Sequence, residues 1–372
     1  MKNNLCRQKT GVADSFRYFC RIYGKKMKIY SHTEPFELES GKKLGHIDIA
    51  YHTFGRLNES HSNVIWVCHA LTANSDVADW WPHTVEYGRF LDPEKYFVVC
   101  ANVLGSHYGT TGPLSTDPLT GEPYYGDFPE FTVRDIVNVH RLLAMHLGIV
   151  SVELLIGSSL GGFQCMEWCV MCPDFARRVA LIATTPVTRP WAAAFNESQR
   201  MAIEADAGWG TRSPQAAMAG MAAARSIALL SYRGGRAYDL TQADDDAGGT
   251  DNAATGSRTL FCRRVHSYQR HQGDKICGRF NAYSYYRLSQ AVDSHDISRG
   301  RGTIADVLGS VRAKALVVAI SSDILFPPSD HRELAEYIPQ VEYHQIDSDF
   351  GHDGFLIEHE KLNTIILKFL QS

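Results

Sequence analysis

The chain has 372 residues, of which 44% are hydrophobic and 21% charged, and its formal net charge is −4. This length accommodates one large core or two moderate domains, and the composition is ordinary for a globular protein. The small negative charge argues against nucleic acid as a partner, and no apolar run reaches the roughly 18–20 residues of a membrane-spanning helix. Residues 1–27 contain no apolar stretch of the kind found in signal peptides, so a cytoplasmic protein is expected.

Short apolar runs alternate with helical patterns from about residue 47 onward. Buried strands are predicted at residues 63–68, 96–103, 152–157 and 179–184. A helix is predicted after the second strand, with Thr132 as its N-cap and Gly148 as its stop. Two more strands, at residues 315–320 and 341–346, flank a helix at 330–337, and a last helix covers 358–370. This alternation indicates an α/β fold with a mostly parallel central sheet.

The segment between the two groups of strands has a different character. Residues 186–299 contain helix formers, notably at 197–206 and 215–232, without strand-like runs. We therefore predict an α/β core made of residues 31–185 and 300–372, with a helical lid inserted at 186–299. Residues 1–30 are predicted to be a flexible N-terminal extension. The polar, glycine-rich residues 244–256 are predicted to be a flexible surface loop, and an acidic metal-binding loop is the alternative.

The segment Gly157-Ser158-Ser159-Leu160-Gly161 lies between a predicted strand and a predicted helix. A G-x-S-x-G pattern in this position is typical of a nucleophile elbow, a tight turn that exposes a serine hydroxyl above the edge of the sheet. Glycines two residues before and after the serine let the neighbouring backbone approach closely. Ser158 lacks glycines at those positions, so Ser159 is the predicted nucleophile.

A nucleophilic serine needs a histidine base, and the base needs a carboxylate to orient it. Asp323 follows the predicted strand at 315–320, and His352 follows the next strand, in the loop DFGHDG. The order serine, aspartate, histidine is that of the α/β-hydrolase fold. We therefore predict this fold, with Ser159, Asp323 and His352 as a catalytic triad for acyl transfer. The alternatives are a turn-capping role for Asp323 and a surface-loop position for His352.

An oxyanion hole requires backbone N–H donors near the nucleophile. The loop His69-Ala70-Leu71-Thr72 follows the first predicted strand, where such a donor is expected. We predict the backbone amides of Leu71 and Leu160 as the two donors. His69 precedes the serine in the chain, so we interpret it as a residue that shapes this loop and not as the base.

Nine cysteines are present, an odd number in a chain too long to depend on disulfides. Cys165, Cys169 and Cys172 have helical spacing, which invites a metal-site interpretation. They alternate with apolar residues such as Trp168, so we predict reduced core cysteines and no metal. A metal or redox site is the alternative.

Several longer motifs follow one another along the chain. They are HALT at 69–72, ANVLG at 101–105, TGPL at 111–114, GGFQ at 161–164, FNESQR at 195–200, AR at 224–225, SDILFP at 322–327 and GHDGFL at 351–356. Together they resemble the homoserine O-acyltransferase family from about residue 36 to the C-terminus. The resemblance implies an enzyme that passes an acetyl group from acetyl-CoA to the hydroxyl of L-homoserine in methionine biosynthesis, by a ping-pong mechanism.

The same resemblance implies the roles of individual residues. The family's triad positions match Ser159, Asp323 and His352, and its substrate-binding positions match Arg225, Tyr232 and Asp353. An arginine suits the α-carboxylate of an amino acid, because its planar fork pairs with both carboxylate oxygens, and Asp353 suits the ammonium group. Acetyl-CoA would be a co-substrate, with no permanently bound cofactor, and a homodimer would form through the helical insertion.

The sequence also departs from the family pattern near the nucleophile. Ser158 stands where the family usually has glycine, and Leu160 and Phe163 stand where it commonly has methionine. These residues lie near the acyl group, so a homoserine O-succinyltransferase is an alternative. A serine ester hydrolase needs the same triad, and a non-catalytic binding protein of the same fold is the third hypothesis.

Overall fold

The computed structural model describes residues 26–243 and 263–372. Residues 1–25, most of the predicted extension, and the predicted polar loop at 244–256 lie outside the described residues. The sheet begins at Lys28, so the boundary predicted at residue 30 is moved to a point before this strand.

The strands of the described residues are β1 (Lys28–His32), β2 (Phe36–Glu37), β3 (Lys43–Leu44), β4 (Ile47–Phe54), β5 (Val64–Cys68), β6 (Phe97–Ala101), β7 (Val152–Ser158), β8 (Ala176–Ile182), β9 (Lys314–Ile320) and β10 (Val341–Ile346). Eight of these form one sheet in the order β1-β4-β6-β5-β7-β8-β9-β10, while β2 and β3 pair separately. From β6 to β10 all neighbours are parallel, and β1 and β4 pair antiparallel at one edge. The predicted mostly parallel sheet is confirmed.

The helices of the described residues are α1 (Val77–Trp80), α2 (Val133–His146), α3 (Leu160–Met171), α4 (Pro190–Glu204), α5 (Met218–Tyr232), α6 (Gly235–Gln242), α7 (Arg264–Cys277), α8 (Ala282–Asp293), α9 (Ile304–Gly309), α10 (Pro328–Tyr337), α11 (Gly354–Ile357) and α12 (His359–Gln371). Short 3₁₀ turns occur at Tyr125–Asp127 and Gly351–Asp353. The prediction of Thr132 as the N-cap of α2 is confirmed, because its side chain accepts from Asp135 N and Asp135 bonds back to Thr132 N.

Hydrophobic side chains are buried on both faces of the sheet. Alternate residues of a strand point to opposite faces, so Trp66 joins the core under α2 and α3, while Ile65 and Val67 join the core under α12. Burial on both faces explains why β5 to β9 are nearly continuous apolar runs. Because β5, β7, β8 and β9 are parallel, their carboxyl ends lie at the same end of the sheet, where the loops that follow them meet.

The chain leaves this sheet after β8 and returns before β9. At the point of departure, Ile297 N donates to Pro186 O (3.0 Å) and Thr188 N donates to His295 O (2.9 Å). The two crossings are thus antiparallel neighbours, and helices α4 to α8 lie between them. The turn after helix α5 passes the loop that carries His352 so closely that a Cβ on Gly351, whose φ is +63°, would lie 2.6 Å from Gly234 N.

Two further findings concern the described part of the chain. Cys165 and Cys169 are buried in the core and free of disulfides, and Cys172 is half-buried and also free. No helix in residues 26–243 and 263–372 is long and apolar enough to cross a membrane.

Candidate active site

Ser159 lies at the junction of β7 and α3, in a conformation that other residues rarely adopt. Its φ and ψ are 56° and −124°, in a sparsely populated region for a residue with a side chain. Ser159 N is held by Ile182 O at 3.0 Å, and its carbonyl accepts from Thr184 Oγ1 at 3.1 Å. The end of β8 therefore maintains the sharp turn from both sides of the Ser159 backbone.

The glycines of the elbow are required by close approaches of the backbone. An added Cβ would lie 2.2 Å from Gly161 O at Gly157, and 2.0 Å from Cys68 O at Gly161. Real Cβ atoms do not come so close to backbone oxygens, so these positions exclude every other residue. Gly157 is thus required by the close approach of the two sides of the elbow, and Gly161 by the contact of the elbow with the end of strand β5.

Asp323 and His352 follow strands β9 and β10 and form a hydrogen-bonded pair at the carboxyl end of the sheet. His352 Nδ1 donates to Asp323 Oδ2 at 2.7 Å, and both residues are buried. Asp323 Oδ1 accepts from the backbone amides of Leu325 (2.8 Å) and Phe326 (3.0 Å), which fix the carboxylate. Because Nδ1 carries the donated proton, Nε2 of His352 is free to accept a proton from a nucleophile.

The surroundings of His352 raise the pKa of its imidazole. Burial by itself lowers the pKa of His352, but the charge and the hydrogen bond of Asp323, with a further contribution from Asp353, raise the pKa above its ordinary value of 6.5. His352 and Ser159 both line one cavity of about 580 Å³. The structure therefore brings the three predicted triad residues to one site.

The loop after β5 lies beside the nucleophile elbow. Ala73 N donates to Ala70 O (3.1 Å), which closes a turn with Leu71 and Thr72 at its centre. Among the hydrogen bonds of the described residues, none uses the amide of Leu71 or of Leu160, the first residue of α3. Both amides therefore lack an acceptor among these hydrogen bonds, and their role as oxyanion donors stays a prediction.

His69 holds this loop and does not act as a base. Its Nδ1 donates to Ala70 O (2.8 Å) and its Nε2 accepts from Val103 N (3.1 Å), so both ring nitrogens are occupied. Burial lowers its pKa to about 4 despite the bond to Ala70, which keeps the ring neutral. Gln164 Nε2 donates to His69 O (3.1 Å) and ties the loop to α3.

A second buried histidine, His331 on α10, connects β8 with the loop that carries Asp323. Its Nε2 accepts from Thr184 N (2.8 Å), and its Nδ1 donates to Pro327 O (3.1 Å). Since Thr184 also bonds to the Ser159 carbonyl, His331 links the nucleophile elbow to the acid loop. Nothing in the sequence marks this histidine, because only the tertiary fold brings its partners together.

The predicted substrate-binding residues lie in the same cavity. Arg225, Tyr232 and Asp353 all line it, with the Arg225 guanidinium carbon 5.6 Å from the centre of the Tyr232 ring. The Tyr232 ring centre is itself 5.9 Å from that of His352. Asp353 also accepts a hydrogen bond from Arg233 Nε at 3.2 Å, a contact that the sequence does not predict. The cavity that holds Ser159 and His352 therefore also presents a cation and a partly paired carboxylate.

Two more cations of the cavity come from α7 and the turn after it, and the sequence motifs did not single them out. Lys275 and Arg279 line the cavity together with the apolar side chains of Trp80, Phe355 and Leu356. No group of three or more histidine, cysteine or acidic side chains within the described ranges has the geometry of a metal site. The arrangement can carry out nucleophilic acyl transfer with charged residues around the acyl acceptor.

Comparisons with known proteins agree with this arrangement. The sequence profile of the alpha/beta hydrolase fold matches residues 63–358. The homoserine O-acetyltransferase of Cyclobacterium marinum is 41% identical over 342 residues, which are 92% of this chain and 94% of that protein. Residues 63–358, which the profile matches, include every predicted site residue.

Solved structures share the fold at lower identity. Homoserine O-acetyltransferase from Bacillus anthracis has a TM-score of 0.84 at 24% identity, covering 93% of this chain and 98% of that one. Esterase E22 has a TM-score of 0.82 at 22% identity, covering 93% and 99%. The fold alone therefore does not separate transfer from hydrolysis, whereas the sequence identity does: this chain belongs to the homoserine O-acetyltransferase family, within the α/β-hydrolase fold.

Proposed function

We propose that this chain is a homoserine O-acetyltransferase, which transfers an acetyl group from acetyl-CoA to the hydroxyl of L-homoserine through an acyl-enzyme at Ser159. The observation that carries the proposal is the cavity that holds both Ser159 and the Arg225–Asp353 pair of opposite charges. An α-amino acid has a carboxylate and an ammonium group on one carbon, and it fits such a pair of charges.

In the first half-reaction, Ser159 Oγ attacks the thioester carbonyl of acetyl-CoA while His352 Nε2 accepts the hydroxyl proton. The backbone amides of Leu71 and Leu160 donate hydrogen bonds to the developing oxyanion. The C–S bond then breaks, and His352 returns the proton to the departing thiolate of CoA. Asp323 keeps Nδ1 protonated throughout and stabilises the imidazolium.

In the second half-reaction, homoserine binds with its carboxylate at Arg225 and its ammonium group at Asp353. His352 removes the proton from the homoserine hydroxyl, whose oxygen attacks the acyl carbon. The bond from the acyl carbon to Ser159 Oγ breaks, the serine regains its proton from His352, and O-acetylhomoserine leaves. No cofactor is needed beyond acetyl-CoA as co-substrate.

The setting of this reaction is also part of the proposal. The product is an activated form of homoserine suited to methionine biosynthesis, for which a cytoplasmic enzyme is expected. We expect a homodimer formed through the helical insertion, as the family resemblance implies. Sedimentation of the purified protein at twice the mass of the chain supports the dimer, and sedimentation at the mass of one chain contradicts it.

A serine ester hydrolase is the second candidate, because the esterase E22 structure shares the fold. The triad is the same in both reactions, and the difference is whether water or homoserine reaches the acyl-enzyme. Arg225 and Asp353 in the same cavity as Ser159 favour the transferase, since they offer a partner for each charge of an amino-acid acceptor.

The test measures release of CoA from acetyl-CoA with and without L-homoserine. Release that depends on homoserine and yields O-acetylhomoserine supports the transferase, and release without it supports the hydrolase. Repetition with succinyl-CoA decides the acyl donor. Ser159→Ala should abolish release in every case, whereas Ser158→Ala, whose buried side chain is absent from the cavity lining, should retain it.

A further inference from the structure

The turn between α7 and α8 packs directly on the active-site loops of the core. The Phe280 side chain is buried with its ring 5.7 Å from that of Tyr108, and Asn281 Nδ2 lies 2.9 Å from His107 Nδ1. His107 and Tyr108 belong to the loop after β6. Asn102 Nδ2 fixes this loop in turn by donating to Tyr108 O at 2.7 Å. The insertion thus has a rigid point of attachment beside the cavity.

Arg279 extends from this turn to the loop after β5. Its Nη1 donates to Thr72 O at 2.6 Å and to Tyr108 Oη at 2.9 Å, and its Nη2 lies 3.4 Å from Thr72 Oγ1. The guanidinium therefore holds two loops of the core at once, and two of its contacts are with Thr72. The Arg279 side chain also lines the cavity that holds Ser159.

Thr72 is the residue next to Leu71, whose amide is the predicted oxyanion donor. The hydrogen bond from Ala73 N to Ala70 O fixes the two ends of this turn. This bond does not involve the two central residues, Leu71 and Thr72, so their position depends on other contacts. The bonds of Arg279 to the carbonyl and hydroxyl of Thr72 supply that restraint at the residue adjacent to the donor.

An arginine suits this task better than a lysine. The planar fork directs several N–H donors in fixed directions, whereas an ammonium group is a single point charge on a flexible stem. An oxyanion donor has to be placed before the reaction, because a misplacement of about 1 Å costs up to roughly 10²-fold in rate.

We propose that Arg279 is a positioning residue that holds the Leu71 amide in place for the oxyanion, so that the helical insertion completes the oxyanion hole of the core. This inference rests on the proposed acyl-enzyme at Ser159 and does not depend on the identity of the acyl donor or of the acceptor.

The experiment measures pre-steady-state acylation of Ser159 with two donors, acetyl-CoA and p-nitrophenyl acetate. The second donor has no phosphates and no pantetheine, and it reports acylation even if homoserine-dependent release of CoA fails. For Arg279→Ala we expect the acylation rate constant at saturating donor to fall by roughly 10- to 100-fold with both donors, at nearly unchanged donor affinity. Arg279→Lys should lose less, because one bond to Thr72 O is regained.

A trifluoromethyl ketone that adds to Ser159 supplies a second readout, since its adduct carries the oxyanion. Its affinity should fall by the same factor as acylation, a result that a merely structural role does not produce. Arg270→Ala is the matched control, because Arg270 lies on α7 but lines a separate groove with Ala219 and Ala222; it should change neither readout.

Three results overturn the proposal. The first is acylation within twofold of the native rate with p-nitrophenyl acetate. The second is a loss confined to acetyl-CoA and to its affinity, which would make Arg279 a binding group for the CoA phosphates. The third is an unchanged affinity for the ketone in a variant whose acylation is slow. If Arg279→Ala does not fold, the same criteria apply to Arg279→Lys.

Discussion

His352 is a buried base whose pKa is set by two opposing effects. Burial disfavours the imidazolium, while the Asp323 carboxylate 2.7 Å away favours it and prevails. A general base acts in its neutral form, so the raised pKa moves the acid limb of the pH profile upward.

The first prediction concerns this pH dependence. The value of kcat/KM for acetyl-CoA should fall as the pH drops through an apparent pKa above 6.5. Asp323→Asn removes the main charge that raises the pKa of His352, so the lowering by burial is then opposed only by Asp353. We expect a rate loss of roughly 10⁴-fold, with the midpoint of the residual activity shifted to lower pH. A native profile flat from about pH 5 to 8 contradicts a histidine base.

The second prediction separates the half-reactions at Arg225. If Arg225 binds the homoserine carboxylate, Arg225→Ala should form the acyl-enzyme from acetyl-CoA at close to the native rate. Transfer to homoserine should weaken about 10- to 150-fold, because a charge-assisted contact is worth roughly 1.5–3 kcal/mol. Stopped-flow acylation followed by addition of homoserine measures both steps. An acylation rate reduced as much as the transfer rate rules out a role confined to homoserine.

At the scale of single elements, the start of α2 is fixed by reciprocal bonds. Thr132 N donates to Asp135 Oδ2 (2.9 Å), Asp135 N donates to Thr132 Oγ1 (3.3 Å), and Glu39 N donates to Asp135 Oδ1 (2.9 Å). The cap therefore also joins α2 to the segment between β2 and β3.

The third prediction follows from this cap. Thr132→Ala should lower the free energy of unfolding by about 1 kcal/mol, since it leaves an amide of the first turn without its acceptor. Thr132→Ser keeps the hydroxyl and should lose much less. Urea unfolding followed by circular dichroism measures both variants. Equal stability of the alanine variant and the native protein would show that water replaces the cap.

The sequence predicts some of these elements well because their signals are local. Strands β5 to β9 are nearly continuous apolar runs buried on both faces, so the sequence predicts their positions to within about three residues, and α2 carries its own cap and stop. The sequence does not predict strands β1 and β4. They are antiparallel strands at one side of the sheet, with polar residues such as Ser31, Asp48 and Thr53 among the apolar ones, and they lack the continuous apolar run that marks a buried parallel strand.

The residues of the site likewise fall into those with a local sequence signal and those without one. Ser159 is marked by its glycines, and Asp323 and His352 are marked by their places after strands, so the chain order suffices to find them. Arg233, Arg279 and His331 act through contacts with residues more than 100 positions away. No local pattern encodes such contacts, and only the folded structure reveals them.

At the scale of the whole molecule, a buried carboxylate joins three segments of the chain. Glu167 on α3 accepts hydrogen bonds from Arg134 Nε of α2 (3.1 Å) and from Arg301 Nη1 (2.7 Å). Arg301 lies in the segment that follows the insertion. Its side chain is only 2% exposed. Arg134 Nη2 also donates to Arg299 O at 2.7 Å, so the end of the insertion is fixed to the core at this point.

The fourth prediction compares this carboxylate with an exposed one. Glu167→Ala should lower the free energy of unfolding by about 3–5 kcal/mol, because two arginine side chains lose their buried partner. Asp174→Ala, which removes an exposed ion pair with Arg312 (2.9 Å), should change it by less than about 1 kcal/mol. Denaturant unfolding curves of the two variants give the comparison, and similar losses for both contradict the assigned role of burial.

The two chain crossings between the core and the helical insertion lie side by side, held by the hydrogen-bonded pairs Pro186–Ile297 and Thr188–His295. The insertion is therefore an exchangeable unit, called the cassette below. The chain leaves and rejoins the core at adjacent points, so the geometry of the sheet does not depend on how many residues lie between them. A longer inserted segment also adds little loop-closure entropy. Nucleophile, acid and base are on the core, whereas Arg225, Tyr232 and Arg279 come from the cassette. If the proposed roles hold, an exchange of the cassette would alter acceptor binding and the restraint of the oxyanion donor, while the predicted nucleophile, acid and base would stay on the core.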